Sequence, residues 1–166
     1  MKTNNQVGIA RTSRWVLGAT ALLWLGAAHA AGELELRNSV YQEVQVQTED
    51  GRTETRQAPA TRVVPGTEVI YVIDYGNVGD GPVQNVAITN PVPEQLVYVA
   101  PDGPVPVSEV SIDGGATYGD LSEFTVPVPD ADPRPAEPRD VTHLRWIVPE
   151  LPPGGEGAVS FRARVK

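Results

Sequence analysis

The stretch Val159-Ser160-Phe161-Arg162-Ala163-Arg164-Val165-Lys166 alternates apolar and polar residues without a break. Val159, Phe161, Ala163 and Val165 fall on one side, and Ser160, Arg162, Arg164 and Lys166 on the other. That period of two marks a strand with one buried face. The polar face is a row of cations suited to meeting acidic side chains such as those of the protein's own surface. Immediately upstream, the proline- and glycine-rich turn 149–157 separates this strand from Leu144, Trp146 and Val148, which alternate in the same way. Trp146 is the largest single contribution to the expected core, several kcal/mol when fully buried.

Upstream of these strands the pattern repeats as short apolar runs divided by turns. Val69-Ile70-Tyr71-Val72-Ile73-Asp74-Tyr75 is apolar on both faces for most of its length, as in the middle of a sandwich. Pro65-Gly66 precedes it and the glycine-rich turn 76–82 follows. Val83, Val86 and Ile88 begin a strand that Asn90-Pro91-Val92-Pro93 ends. Leu96–Val99 and Val107–Ile112 are short apolar runs, the second closed by Asp113-Gly114-Gly115. Phe124, Val126 and Val128 alternate, but Pro127 and Pro129 confine them to an edge. Residues 127–138 hold five prolines and read as an extended loop with a polyproline bias.

Near the start, Leu34, Leu36, Val40, Val44 and Val46 fall on even positions, with polar residues and Tyr41 between them. Asp50-Gly51 supplies a two-residue hairpin turn, setting Arg52 opposite Glu49 and Thr53 opposite Thr48. The return arm 52–57 is polar on both faces, so it reads as an edge or projecting hairpin. The segment Glu33–Thr48 can complete its own sheet or a neighbour's; the adjoining hairpin holds it near its own domain and favours the first. The expectation is an all-β, immunoglobulin-like antiparallel sandwich of seven to nine strands.

The first thirty residues differ from all of this. Lys2, Arg11 and Arg14 precede an apolar run from Trp15 to Ala27 and then Ala28-His29-Ala30, the layout of a secretory signal peptide. The run is shorter than the roughly 20 residues of a membrane span. The predicted organisation is therefore a leader at 1–30, an N-terminal strand and hairpin at 31–61, and the sandwich domain at 62–166. The protein is expected to be exported, to the periplasm or the cell surface, with no membrane insertion after cleavage.

Charge and cysteine content narrow the function. The chain has 13 Lys and Arg against 21 Asp and Glu, and three of the cations lie in the leader, leaving a net charge of −11 beyond it. Such an acidic surface repels phosphate backbones, which argues against nucleic acid as a partner. With no cysteine, thiol catalysis and cysteine metal sites are excluded, and the core must hold without disulfides.

Several segments resemble one family. They are Val64-Pro65-Gly66-Thr67-Glu68-Val69-Ile70-Tyr71, Tyr75-Gly76-Asn77-Val78-Gly79, Val86–Pro93 and Leu96–Val99. Ser111–Gly115, Arg145-Trp146 and Leu151-Pro152-Pro153-Gly154 with Val159–Val165 continue the likeness over 62–166. The pattern is similar to the conserved-repeat domain of bacterial and archaeal surface proteins, an immunoglobulin-like family, with Asn90 where the family has Asp. The resemblance implies a single-copy surface or envelope domain and carries over no catalytic residues.

Few residues are suited to catalysis or metal binding. His143 is the one histidine beyond the leader, too few for a zinc site, and no Gly-x-Ser-x-Gly elbow accompanies it. Beside Trp146 on a strand it reads as a rim residue. Asp113, Asp120, Asp130 and Asp132 are the candidates for calcium, which takes six to eight oxygens, often from acidic loops. No run matches the twelve-residue helix-flanked loop, and the plainer reading is solvated turn residues. No enzyme and no cofactor are therefore expected. The protein reads as a non-catalytic structural or interaction module whose partner is a protein or an envelope polymer. The alternatives are a subunit of a strand-exchanged assembly and, last, a small ligand-binding or hydrolytic protein.

Overall fold

In the computed structural model, which describes residues 32–166, the chain forms ten strands and two 3-10 turns. The expected leader lies outside the described residues. The ten strands are β1 (Leu34–Gln47), β2 (Thr53–Pro59), β3 (Glu68–Asn77), β4 (Val83–Pro91), β5 (Leu96–Asp102), β6 (Glu109–Ser111), β7 (Thr125–Val128), β8 (Ala131–Pro135), β9 (His143–Leu151) and β10 (Glu156–Val165). All pairings are antiparallel.

The strand apolar on both faces, β3, lies at the centre of a five-stranded sheet ordered β2-β1-β3-β10-β5. Its Val69 and Ile73 face a second, three-stranded sheet ordered β4-β9-β6, across a core that includes Ile88, Leu144, Trp146, Val159, Phe161 and Ala163. The two sheets thus share one sandwich-like core. The alternation in β9 and β10 reads as expected: Leu144, Trp146, Phe161 and Ala163 are all fully buried. Phe161 stacks on Tyr71 with centroids 5.1 Å apart and lies 6.4 Å from Trp146. Ile70, on the opposite side of β3, is equally buried, in a row between Tyr41 of β1 and Arg162 of β10.

Asn77 closes the far end of β3. Its side-chain Oδ1 accepts from the Glu33 and Gly79 N–H groups, and its Nδ2 donates to the Gly81 and Leu151 carbonyls. One buried amide therefore ties the start of β1, the turn into β4 and the end of β9 together, satisfying backbone groups that would otherwise be orphaned.

Three expectations need correction. First, the hairpin loop has three residues, not two. Thr48 bonds to the Arg52 carbonyl, Gly51 takes φ 81°, and Gln47 stands opposite Thr53. The pairing is thereby one residue from that expected, because an αL glycine after the turn adds a bulge position. Second, 127–138 is not an open loop. Pro127, Pro133 and Pro135 lie within a two-stranded ribbon, β7 with β8, that turns at Asp130 with φ 55°. Proline is compatible with a ribbon because each strand needs its N–H groups on one side only. Third, with eight strands in the two sheets and two in this ribbon, the total exceeds seven to nine.

The ribbon is anchored by a fork of two 2.7 Å hydrogen bonds from Arg134 of β8 to Asp140, in the 3-10 turn Pro138–Asp140. This guanidinium holds the Asp140 carboxyl down at about 2. A carboxyl depressed on folding contributes stability that is present above its unfolded value and lost as pH falls through the folded one. Asp140 is therefore expected to add up to about 2 kcal/mol at neutral pH, disappearing between about pH 4 and pH 2. Melting curves of wild type and Asp140→Asn should differ at pH 6 and converge near pH 2; a constant gap would refute this.

Candidate interaction edge

A β-sheet ends in strands whose outer N–H and C=O groups lack ladder partners, and these are templates for another strand unless something covers them. The 3-10 turn Pro138–Asp140 packs against β5, and β6 meets Gly119 through Val110. The β4 edge carries Asn85 in the αL region, φ 51°, which breaks the flat ladder. β2 is polar from Thr53 to Gln57 and ends at Pro59.

β1 is different. Only Tyr41–Gln47 pair with β2, whereas Leu34–Gln42 pair with β3. The second half of β1 therefore runs out with β2 as a projecting ribbon, as its polarity suggested. Among the described residues, the first half is left with one open side. Ala60 donates to the Val40 carbonyl, 2.9 Å, and closes that side at Val40. Backbone groups alternate along a strand, so those of Leu34, Leu36 and Asn38 point the same way as Val40's, into the open. Those of Glu35 and Arg37 point to β3.

The side chains fit this reading. The three-stranded sheet does not extend under Leu36, which stays 48% exposed on the core-facing side. Glu35 and Arg37 lie on the opposite face, 3.3 Å apart. They border a shallow depression of about 510 Å³, lined also by Asp74, Gly76 and Glu156. Sequence alternation placed Leu36 in the core; its exposure follows from the unequal width of the two sheets.

No family model, curated protein or solved structure matches this chain.

Further along the same outer face, the cationic row of β10 finds the acidic side chains it was suited to. Arg162 contacts Asp102 at 3.0 Å, Glu43 at 2.9 Å and Glu68 at 3.3 Å, and these carboxylates raise its pKa. Four strands are thereby clamped over Ile70. Every donor nitrogen of this guanidinium is directed at the protein's own carboxylates, so the cluster holds the sheet together rather than offering a charge to a ligand.

The calcium candidates do not converge. Asp113 folds back on its own turn, accepting from Ser111 and Thr117 hydroxyls and from the Ala116 and Thr117 N–H groups. These bonds hold its pKa far below the usual range. Asp120 caps the 3-10 turn Leu121–Glu123, Asp130 turns the β7–β8 ribbon, and Asp132 lies in β8. Among the described residues no three His, Cys, Asp or Glu side chains gather as a metal site. Millimolar calcium is accordingly expected to leave the melting temperature within about a degree, since only native-state binding would raise it; a rise of several degrees would show a site in these turns. His143 is part-buried at the start of β9 beside Thr142. The neighbouring Arg145 lies over the Tyr118 ring and pairs with Glu109.

Proposed function

We propose that this protein is a non-catalytic, exported module of the cell envelope, an immunoglobulin-like sandwich of the conserved-repeat kind that recognises protein through an open strand edge. The open side of Leu34–Asn38 carries this reading. It offers directional backbone groups with an exposed leucine beside them, the ingredients of recognition by strand addition. The acidic surface beyond the leader supports a protein partner over nucleic acid. The same edge also favours a second reading, in which the chain is a subunit of an assembly built by strand addition.

A photoreactive residue at position 36 tests the edge in intact cells. Capture of protein from that position is expected, and it should vanish when Asn38→Pro removes an outward N–H that no other described residue uses. Absence of capture, or capture indifferent to Asn38→Pro, overturns the reading.

A further inference from the structure

We infer that the partner of this edge is a second copy of the chain, paired β1 to β1 in antiparallel fashion about a two-fold axis at Leu36. The inference rests on the edge reading above and goes further by naming the occupant.

Register decides the partner. A symmetric antiparallel pair centred on residue 36 sets Leu36 against Leu36 of the second copy, Leu34 against Asn38, and Glu35 against Arg37, each reciprocally. Leu34, Leu36 and Asn38 are the residues whose N–H and C=O groups face the open side, so they would form the hydrogen-bonded positions of the new ladder. Glu35 and Arg37 would fall at the closer, non-hydrogen-bonded positions, where opposite charges stabilise and like charges repel. Centring on 34 would oppose Glu33 and Glu35, and centring on 35 or 37 would oppose two glutamates or two arginines. Centring on 38 would set Leu36 opposite Val40, whose carbonyl is already taken by Ala60. One register is thus compatible with both charge and the closed end of the edge, as an isologous two-fold contact requires.

The exposed Leu36 adds what polarity alone would not. Across the axis the two Leu36 side chains would cover each other on the face that the three-stranded sheet leaves bare. β2 carries a similar charge spacing, Glu54-Thr55-Arg56, but no large apolar side chain, so its self-pairing would bury little. A contact confined to one short strand edge lies below the area of permanent interfaces. The dimer should therefore form at high concentration and dissociate on dilution.

Light scattering of the purified protein, from about 5 to about 500 µM, reads this directly, at affinities expected in the micromolar range. Wild type should move from monomer to dimer across that span. Glu35→Arg and Arg37→Glu, both at exposed positions, should each stay monomeric, because each opposes like charges. An equimolar mixture of the two should recover a dimer, since the two cations of the first variant then face the two carboxylates of the second. Glu54→Arg should behave as wild type. Single variants that dimerise normally, or a dimer lost in Glu54→Arg instead, would overturn the inference. A wild type monomeric throughout would also overturn it. If cross-linking from position 36 then still captured another protein in an Asn38-dependent way, the edge reading would stand with a different occupant. If it captured nothing, both would fall.

Discussion

Replacing Trp146 by alanine is expected to remove about 4 kcal/mol of stability, within the range for truncating a fully buried tryptophan. At this chain length that corresponds to roughly 15 °C of melting temperature. Trp146 has no exposed surface and sits where β9 faces the Tyr71–Phe161 stack, so neither sheet can close over the missing ring without shifting the other. The indole Nε1 finds no hydrogen-bond acceptor among the described residues. A buried donor without a partner already costs stability, so Trp146→Phe, which deletes it and keeps an aromatic ring, should lose less than half as much. Chemical denaturation of the two variants checks both statements. Equal losses would mean that the nitrogen is satisfied in solution.

Asn77→Ala is expected to cost about 3 kcal/mol, because the Gly81 and Leu151 carbonyls lose their donor where water cannot replace it. The Glu33 and Gly79 N–H groups are less buried, and solvent can make up part of their loss. Asn77→Asp should be worse at neutral pH despite its identical shape. It keeps the acceptor but turns a carboxylate oxygen toward two carbonyl oxygens. The folded-state pKa of the introduced carboxyl would then be raised, and the sign follows: the added penalty is full above that value and shrinks as acid protonates the group. Denaturation midpoints of the alanine and aspartate variants should therefore converge near pH 3 and separate at pH 7. If Asn77→Asp were as stable as wild type at pH 7, the amide would not be the tie described.

Much of the architecture was readable from local pattern because strands write their environment into a period of two. Val159–Val165 and Leu144–Val148 announced which face they bury, and Val69–Tyr75, apolar on both sides, announced a central strand. Prolines at 127–138 misled for a related reason. Proline reports only that an N–H is missing, and a ribbon with one open side does not need it.

The candidate edge was less legible. The alternation of Leu34, Leu36 and Val40 states that one face of β1 is apolar. It does not state how far the opposing sheet reaches, and that extent decides whether Leu36 is covered. Likewise Glu35 and Arg37 read as ordinary surface charges until strand pairing shows that the backbone between them is open on one side. Local pattern was enough to read most of the strands, most of their turns and most of the core residues, since each depends on neighbours a few positions away. The strand order, the Arg162 clamp joining residues 119 positions apart and the open half of β1 emerge only when the strands meet across long loops, where no local period carries information.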